Sequence, residues 1–110
     1  MNWYENLYVG KNAKKKAASY IRKIEDGNYP LQIYLITFTA GDHDQIEIIS
    51  PRNLKFWYHQ KKNPMIAGIA LGREEALEVL QQMVQDIMCE TGGLDFRQFF
   101  LSETGQTDIV

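Results

Sequence analysis

The sequence predicts an α/β fold: a small mixed sheet of three or four strands, packed by two main helices and one short helix. Three observations carry this. Residues 65–71, MIAGIAL, are a short apolar run with small side chains at Ala67, Gly68 and Ala70, the pattern of a strand covered on both faces and closely approached by its neighbours. After Gly72 the stretch REEALEVLQQMVQDIMCET is apolar at helical spacing along one arc and acidic or amide-bearing elsewhere, which is an amphipathic helix lying on a sheet. Residues 31–39, LQIYLITFT, are β-branched and aromatic on both sides, a second central strand. At 110 residues the chain fits one domain, expected over 1–101 with a polar tail at 102–110.

Each element follows in order. The start, NWYENLYVG, puts Trp3, Tyr4, Leu7 and Tyr8 at helical spacing, so it reads as a short helix or an extended arm. Its aromatics need cover, from the domain itself or from a second copy. Residues 12–25 predict a helix capped by Asn12, with Ala13, Ala17, Tyr20, Ile21 and Ile24 on one face. The run DGNYP at 26–30 ends it. After the 31–39 strand, AGDHD is a turn and QIEII at 45–49 a strand returning as an antiparallel hairpin. Ser50 and Pro51 begin a short helix to about His59, with Leu54, Trp57 and Tyr58 as its apolar stripe.

Past the 73–91 helix, LDFRQFFL at 94–101 is expected as a last strand. Laid parallel to 65–71 it would complete a right-handed β-α-β unit. The expected core is Ile33, Leu35, Ile36, Phe38, Ile66, Ile69, Leu77, Leu80, Val84 and Ile87.

Net charge is −2, from 12 basic and 14 acidic residues, which gives no overall reason to expect a nucleic-acid or membrane partner. The single cysteine, Cys89, excludes an internal disulfide framework and a cysteine-type zinc site. No apolar run reaches the roughly 18 residues of a membrane helix, and the start lacks a signal-peptide pattern. The expected location is the cytoplasm, with no membrane partner and no cofactor.

Four places carry candidate chemistry. Gly72, between a strand and a helix start, is where a phosphate would sit, but no complete phosphate-loop motif is present and Glu74 and Glu75 bring negative charge. Asp42, His43 and Asp44 offer cation-ligating or catalytic groups in one loop, although hairpin turns use the same residues. That loop would adjoin Gly72 if strands 31–39 and 65–71 ran parallel. Lys14, Lys15 and Arg22, with Arg52, Lys55, Lys61 and Lys62, form two basic segments, 11–23 and 52–62, the second interleaved with aromatics. Nucleic-acid binders combine charge and aromatics this way. Cys89 is expected to be exposed and has no partner base assigned.

MNWYENLYVG, IYLITF, IAGIALGREEALEVLQQMVQDI and ETGGLDFRQFFL together resemble a family of small single-domain proteins from anaerobic Gram-positive bacteria. The resemblance spans nearly the whole chain. It implies a bacterial protein and transfers no activity, cofactor or site residue.

The functional expectation is a non-enzymatic interaction or regulatory module, self-associating as a homodimer through the aromatic start. The alternatives are nucleic-acid or anion binding through the two basic segments, and an enzyme or metal site at 42–44.

Overall fold

The computed structural model describes residues 2–39, 44–54 and 64–103. Four strands form one mixed sheet in the order β1-β4-β2-β3. β1 is Asn2–Val9, β2 Ile33–Thr39, β3 Gln45–Ile49 and β4 Met65–Leu71. The helices are α1 (Ala17–Glu25), α2 (Arg73–Thr91) and α3 (Phe96–Glu103). The α/β architecture is the one the sequence predicts.

The two strands with apolar side chains on both sides, β2 and β4, are the inner pair, because only inner strands are covered twice. One face holds Ile36, Phe38, Met65 and Ala67 against Val79, Met83 and Ile87 of α2 and Phe99 and Phe100 of α3. The other holds Ile33, Leu35, Ile66 and Ile69 against Ile24 of α1 and Leu54. Gly68 faces α2: a Cβ there would lie 3.0 Å from Ile36 Cδ1 and 3.3 Å from Val79 Cγ1. The small residues of β4 therefore set how closely α2 approaches. Opposite β2, Gly68 pairs with Ile36 and Ile66 with Thr37, so Ala67 is an extra residue that bulges the strand.

The first residues do not form a helix. They are an edge strand, parallel to β4, with Trp3 opposite Ile66 and Val9 opposite Ile69. Four residues of β1 between Trp3 and Tyr8 face a single residue of β4, and this irregularity brings Tyr4 into the α2 side of the core while Trp3 and Leu7 pack on the α1 side. Tyr4 is 2% exposed.

Several boundaries and two topological expectations change. Asn12 does not cap the first helix. The chain makes a 3-10 turn at Lys14–Lys16 before α1 begins at Ala17, whose N-cap position is Lys16. Gly27, at φ 84°, ends the helix as expected.

The stretch expected as a last strand is the helix α3. Phe96, Phe99 and Phe100 recur at three and four residues, and the Asp95 carboxylate accepts the Gln98 N–H at 3.0 Å as an N-cap. The parallel partner of β4 is therefore β1, not a strand after α2. β2 runs antiparallel to β4, with Ile33 opposite Leu71 and Phe38 opposite Met65.

The 45–49 strand forms the predicted hairpin, Leu35 opposite Ile49 and Thr39 opposite Gln45. Residues 51–52 turn into helical residues 53–54; the rest of the predicted short helix lies outside the described residues, as does the tail beyond Glu103. Leu77, expected in the core, is 50% exposed, and Leu80 and Val84 are half-buried. No described helix is long and apolar enough to cross a membrane.

Candidate functional site

β4 ends at Leu71, and Gly72, at φ 89° and ψ 154°, turns the chain into α2. A side chain is disfavoured at that φ, so glycine is the residue this corner requires. The Gly72 N–H donates to Gln32 O at 2.8 Å, and the first α-helical bond runs from Ala76 N to Gly72 O at 3.1 Å.

Glu75 stands at the third helical position, where a glutamate side chain can reach back over its own N-terminus. It does so here and also crosses to a distant loop. Its Oε2 accepts the Leu71 N–H at 2.8 Å and the Ala13 N–H at 3.2 Å, and its Oε1 accepts the Asn12 N–H at 2.8 Å. The residue is 5% exposed. Burial pushes its carboxyl pKa up, but the amides of Leu71, Asn12 and Ala13, helped by the Asn12 side chain, outweigh that and hold it below the ordinary value.

Room for the carboxylate comes from Gly10, where a Cβ would lie 2.2 Å from Glu75 Oε2. One side chain thus ties the end of β4, the start of α2 and the loop after β1. The anion bound by the Leu71, Asn12 and Ala13 amides is the protein's own, and with Glu74 it brings negative charge to the start of α2, where a phosphate would approach. A carboxylate held by three donors is also a weak proton acceptor.

Two shallow cavities flank the tie. One, about 360 Å³, is lined by Lys11, Asn12, Gly72, Arg73, Glu74 and Glu78. Both charge signs face it. The other, about 350 Å³, lies between Tyr8, Val9 and Lys11 of the first strand and its loop and Glu78, Val79 and Gln82 of α2. Beyond it the Tyr8 hydroxyl donates to Asp86 Oδ2 at 2.5 Å, and Gln82 Nε2 donates to Asp86 Oδ1 at 3.0 Å. Among the described residues the one buried side-chain polar atom with no hydrogen-bond partner is Trp3 Nε1, and Trp3 packs on the opposite, α1 face of the sheet.

The Asp42–Asp44 site loses its positional support. Because β2 and β4 are antiparallel, Phe38 lies opposite Met65, and Thr39 and Gln45, the residue after Asp44, are paired at the far end of the sheet from Gly72. Asp42 and His43 lie outside the described residues. Asp44 is held by Arg97 of α3 in a two-pronged contact, Nη2 to Oδ1 at 2.8 Å and Nε to Oδ2 at 3.3 Å, so its carboxylate joins the hairpin to the C-terminal helix. Among the described residues, no three His, Cys, Asp or Glu side chains are grouped to hold a metal ion.

Lys14, Lys15 and Arg22 are exposed, as is Arg52, while Lys55, Lys61 and Lys62 fall outside the described residues. Arg52 shares a layer with the first basic segment: Ile24 of α1 and Leu54, two residues after Arg52, are in the same core cluster. Cys89 is exposed on α2.

The outer side of α2 also carries apolar residues. Leu77 is 50% and Met88 48% exposed, with Val84 half-buried between them. They succeed one another, with Gln81, at intervals of four, three and four, and so share one line along the helix. Sequence reasoning put Leu77 and Val84 in the core because the apolar arc of α2 is wider than the sheet can cover. It missed the Glu75 tie because two of its donors lie 62 and 63 residues away. The glutamate at the third helical position was the available signal.

Comparison with protein-family models, with curated proteins and with solved structures finds no match to this chain.

Proposed function

We propose that this protein is a non-enzymatic interaction module that self-associates through the outer side of α2. The observation that carries the reading is the line Leu77, Gln81, Val84 and Met88, half of it strongly exposed on a helix whose other side is committed to the sheet. The occupant that fits is a second copy. The line is self-complementary: paired antiparallel about a two-fold axis between residues 82 and 83, Leu77 meets Met88 and Gln81 meets Val84.

Charge favours the same arrangement. A parallel pair would set the exposed Glu74 and Glu78 of one copy against those of the other. The antiparallel pair moves them to opposite ends, beside Thr91 and a C-terminal half whose acids are Glu90 and Asp86, the latter bonded by Tyr8, and opposes the helix dipoles. The 19 residues of α2 give a contact line about 28 Å long. One helix pair of that length buries roughly 1,000 Å², the lower limit for a specific interface, so the dimer is weak and reversible.

The aromatic start, expected to serve this role, is used within its own domain. Tyr4 packs edge-on to Phe100 at 5.1 Å between ring centroids. The enzyme reading is the least supported, since the carboxylates Glu75, Asp86 and Asp44 are engaged in internal contacts. Sedimentation velocity over a concentration series tests the proposal, comparing the native chain with Leu77→Glu.

A further inference from the structure

We infer that the outer surface of α1, with the turn before it and Arg52 on the same layer, is a binding face for the phosphate backbone of a nucleic-acid duplex. The net charge of −2 conceals a division by layer. On one side of the sheet, Lys14, Lys15, Lys16, Arg22, Lys23 and Arg52 are all exposed, opposed there by Glu25 and Asp26 at the far end of α1 and by the half-buried Glu47 of β3, two residues before Ile49 on the same face. On the other side, α2 carries Arg73 against Glu74, Glu75, Glu78, Asp86 and Glu90.

The fold puts Arg52 on the same layer as α1. Arg52 lies about thirty residues from Arg22 in sequence, yet Leu54 and Ile24 bury into one cluster on the same face of the sheet. Arg22, two residues before the fully buried Ile24, lies on the opposite side of α1 from it, and Lys15 is exposed on the 3-10 turn that precedes the helix. Association with a polyanion follows the local potential of such a face, not the total charge.

The chemistry of the face selects the partner. Its cations are long, exposed side chains on α1, the turn before it and residue 52, suited to neutralising phosphates. Tyr20, the aromatic of α1, is half-buried against the sheet, so the described part of the face offers no stacking platform of the kind single strands use. Recognition is therefore expected to be independent of sequence and sensitive to salt. The face is on the opposite layer from the α2 line, so it stands or falls separately from self-association.

The test is fluorescence anisotropy with a labelled 24-base-pair DNA duplex, titrated with the whole protein at several salt concentrations. Neutralising about five phosphates predicts a slope of log K against log salt of about −4.5, with a dissociation constant of roughly 10–100 µM near physiological salt. Lys15→Gln/Arg22→Gln should weaken binding about tenfold and lessen the slope by about 2. Gln85→Glu/Gln98→Glu makes the same change in net charge on the α2 side and should leave binding within about twofold. The inference is overturned by absence of binding at low salt, by binding with no salt dependence, or by equal loss in the two double variants. Binding to phosphatidylglycerol vesicles without binding to the duplex would also overturn it.

Discussion

Replacing Glu75 by glutamine keeps the shape of the side chain and turns one acceptor oxygen into a donor facing amides that also donate. At least one of the Leu71, Asn12 and Ala13 N–H groups then loses its partner. The expected cost is about 2 kcal/mol in chemical denaturation, the penalty of an unsatisfied buried donor. The native carboxyl also makes stability depend on pH. Its folded pKa lies below the unfolded value near 4.5, so its contribution is complete above that value. It is lost as pH falls through the folded pKa. Stability measured from pH 7 down to pH 3 should therefore fall more steeply below about pH 5 in the native chain than in Glu75→Gln. Parallel profiles would show that the tie contributes nothing through its charge. Gly10 acts through the same carboxylate. Gly10→Ala should cost about 2 kcal/mol in the native background and almost nothing in Glu75→Ala, where the atom it strikes is gone. A double-mutant cycle reads this coupling directly, and additive losses would mean that Gly10 matters for another reason.

Elements were legible where the pattern had one interpretation. MIAGIAL, Gly72 and the nineteen residues of α2 appear with the predicted bounds, since a buried run, a glycine and a helical period agree at every level. LDFRQFFL reads as a strand because five large apolar residues in eight satisfy a strand buried on both faces as well as a helix. The deciding feature was Asp95, placed to cap the Gln98 N–H. The start was ambiguous for the converse reason: its helical spacing is that of a strand whose irregularity sends Trp3 and Leu7 to one face and Tyr4 and Tyr8 to the other. α3 is fixed chiefly by its rings. Phe100 is fully buried and lies 5.1 Å from both Tyr4 and Phe38 and 5.3 Å from Phe99 between centroids. Phe100→Ala should cost about 3–5 kcal/mol in urea denaturation. A loss under about 1 kcal/mol would mean that α3 is not part of the cooperative core.

At the scale of the molecule, the strand order decides which candidate groups meet. No local pattern distinguishes parallel from antiparallel pairing of β2 and β4, and that one difference separates Asp44 from Gly72. The layering of the charges was equally hidden, since it depends on Ile24 and Leu54 burying on the same face. What the fold leaves over on α2 is the Leu77–Met88 line, and the account rests on its being covered by a second copy. The direct measurement is sedimentation velocity from about 10 to 500 µM, bracketing the weak affinity expected of an interface near 1,000 Å². The native chain should move from monomer towards dimer across that range, while Leu77→Glu and Met88→Glu, folded by circular dichroism, remain monomeric throughout. A native chain that is monomeric at 500 µM, or variants that associate as the native chain does, would contradict the account.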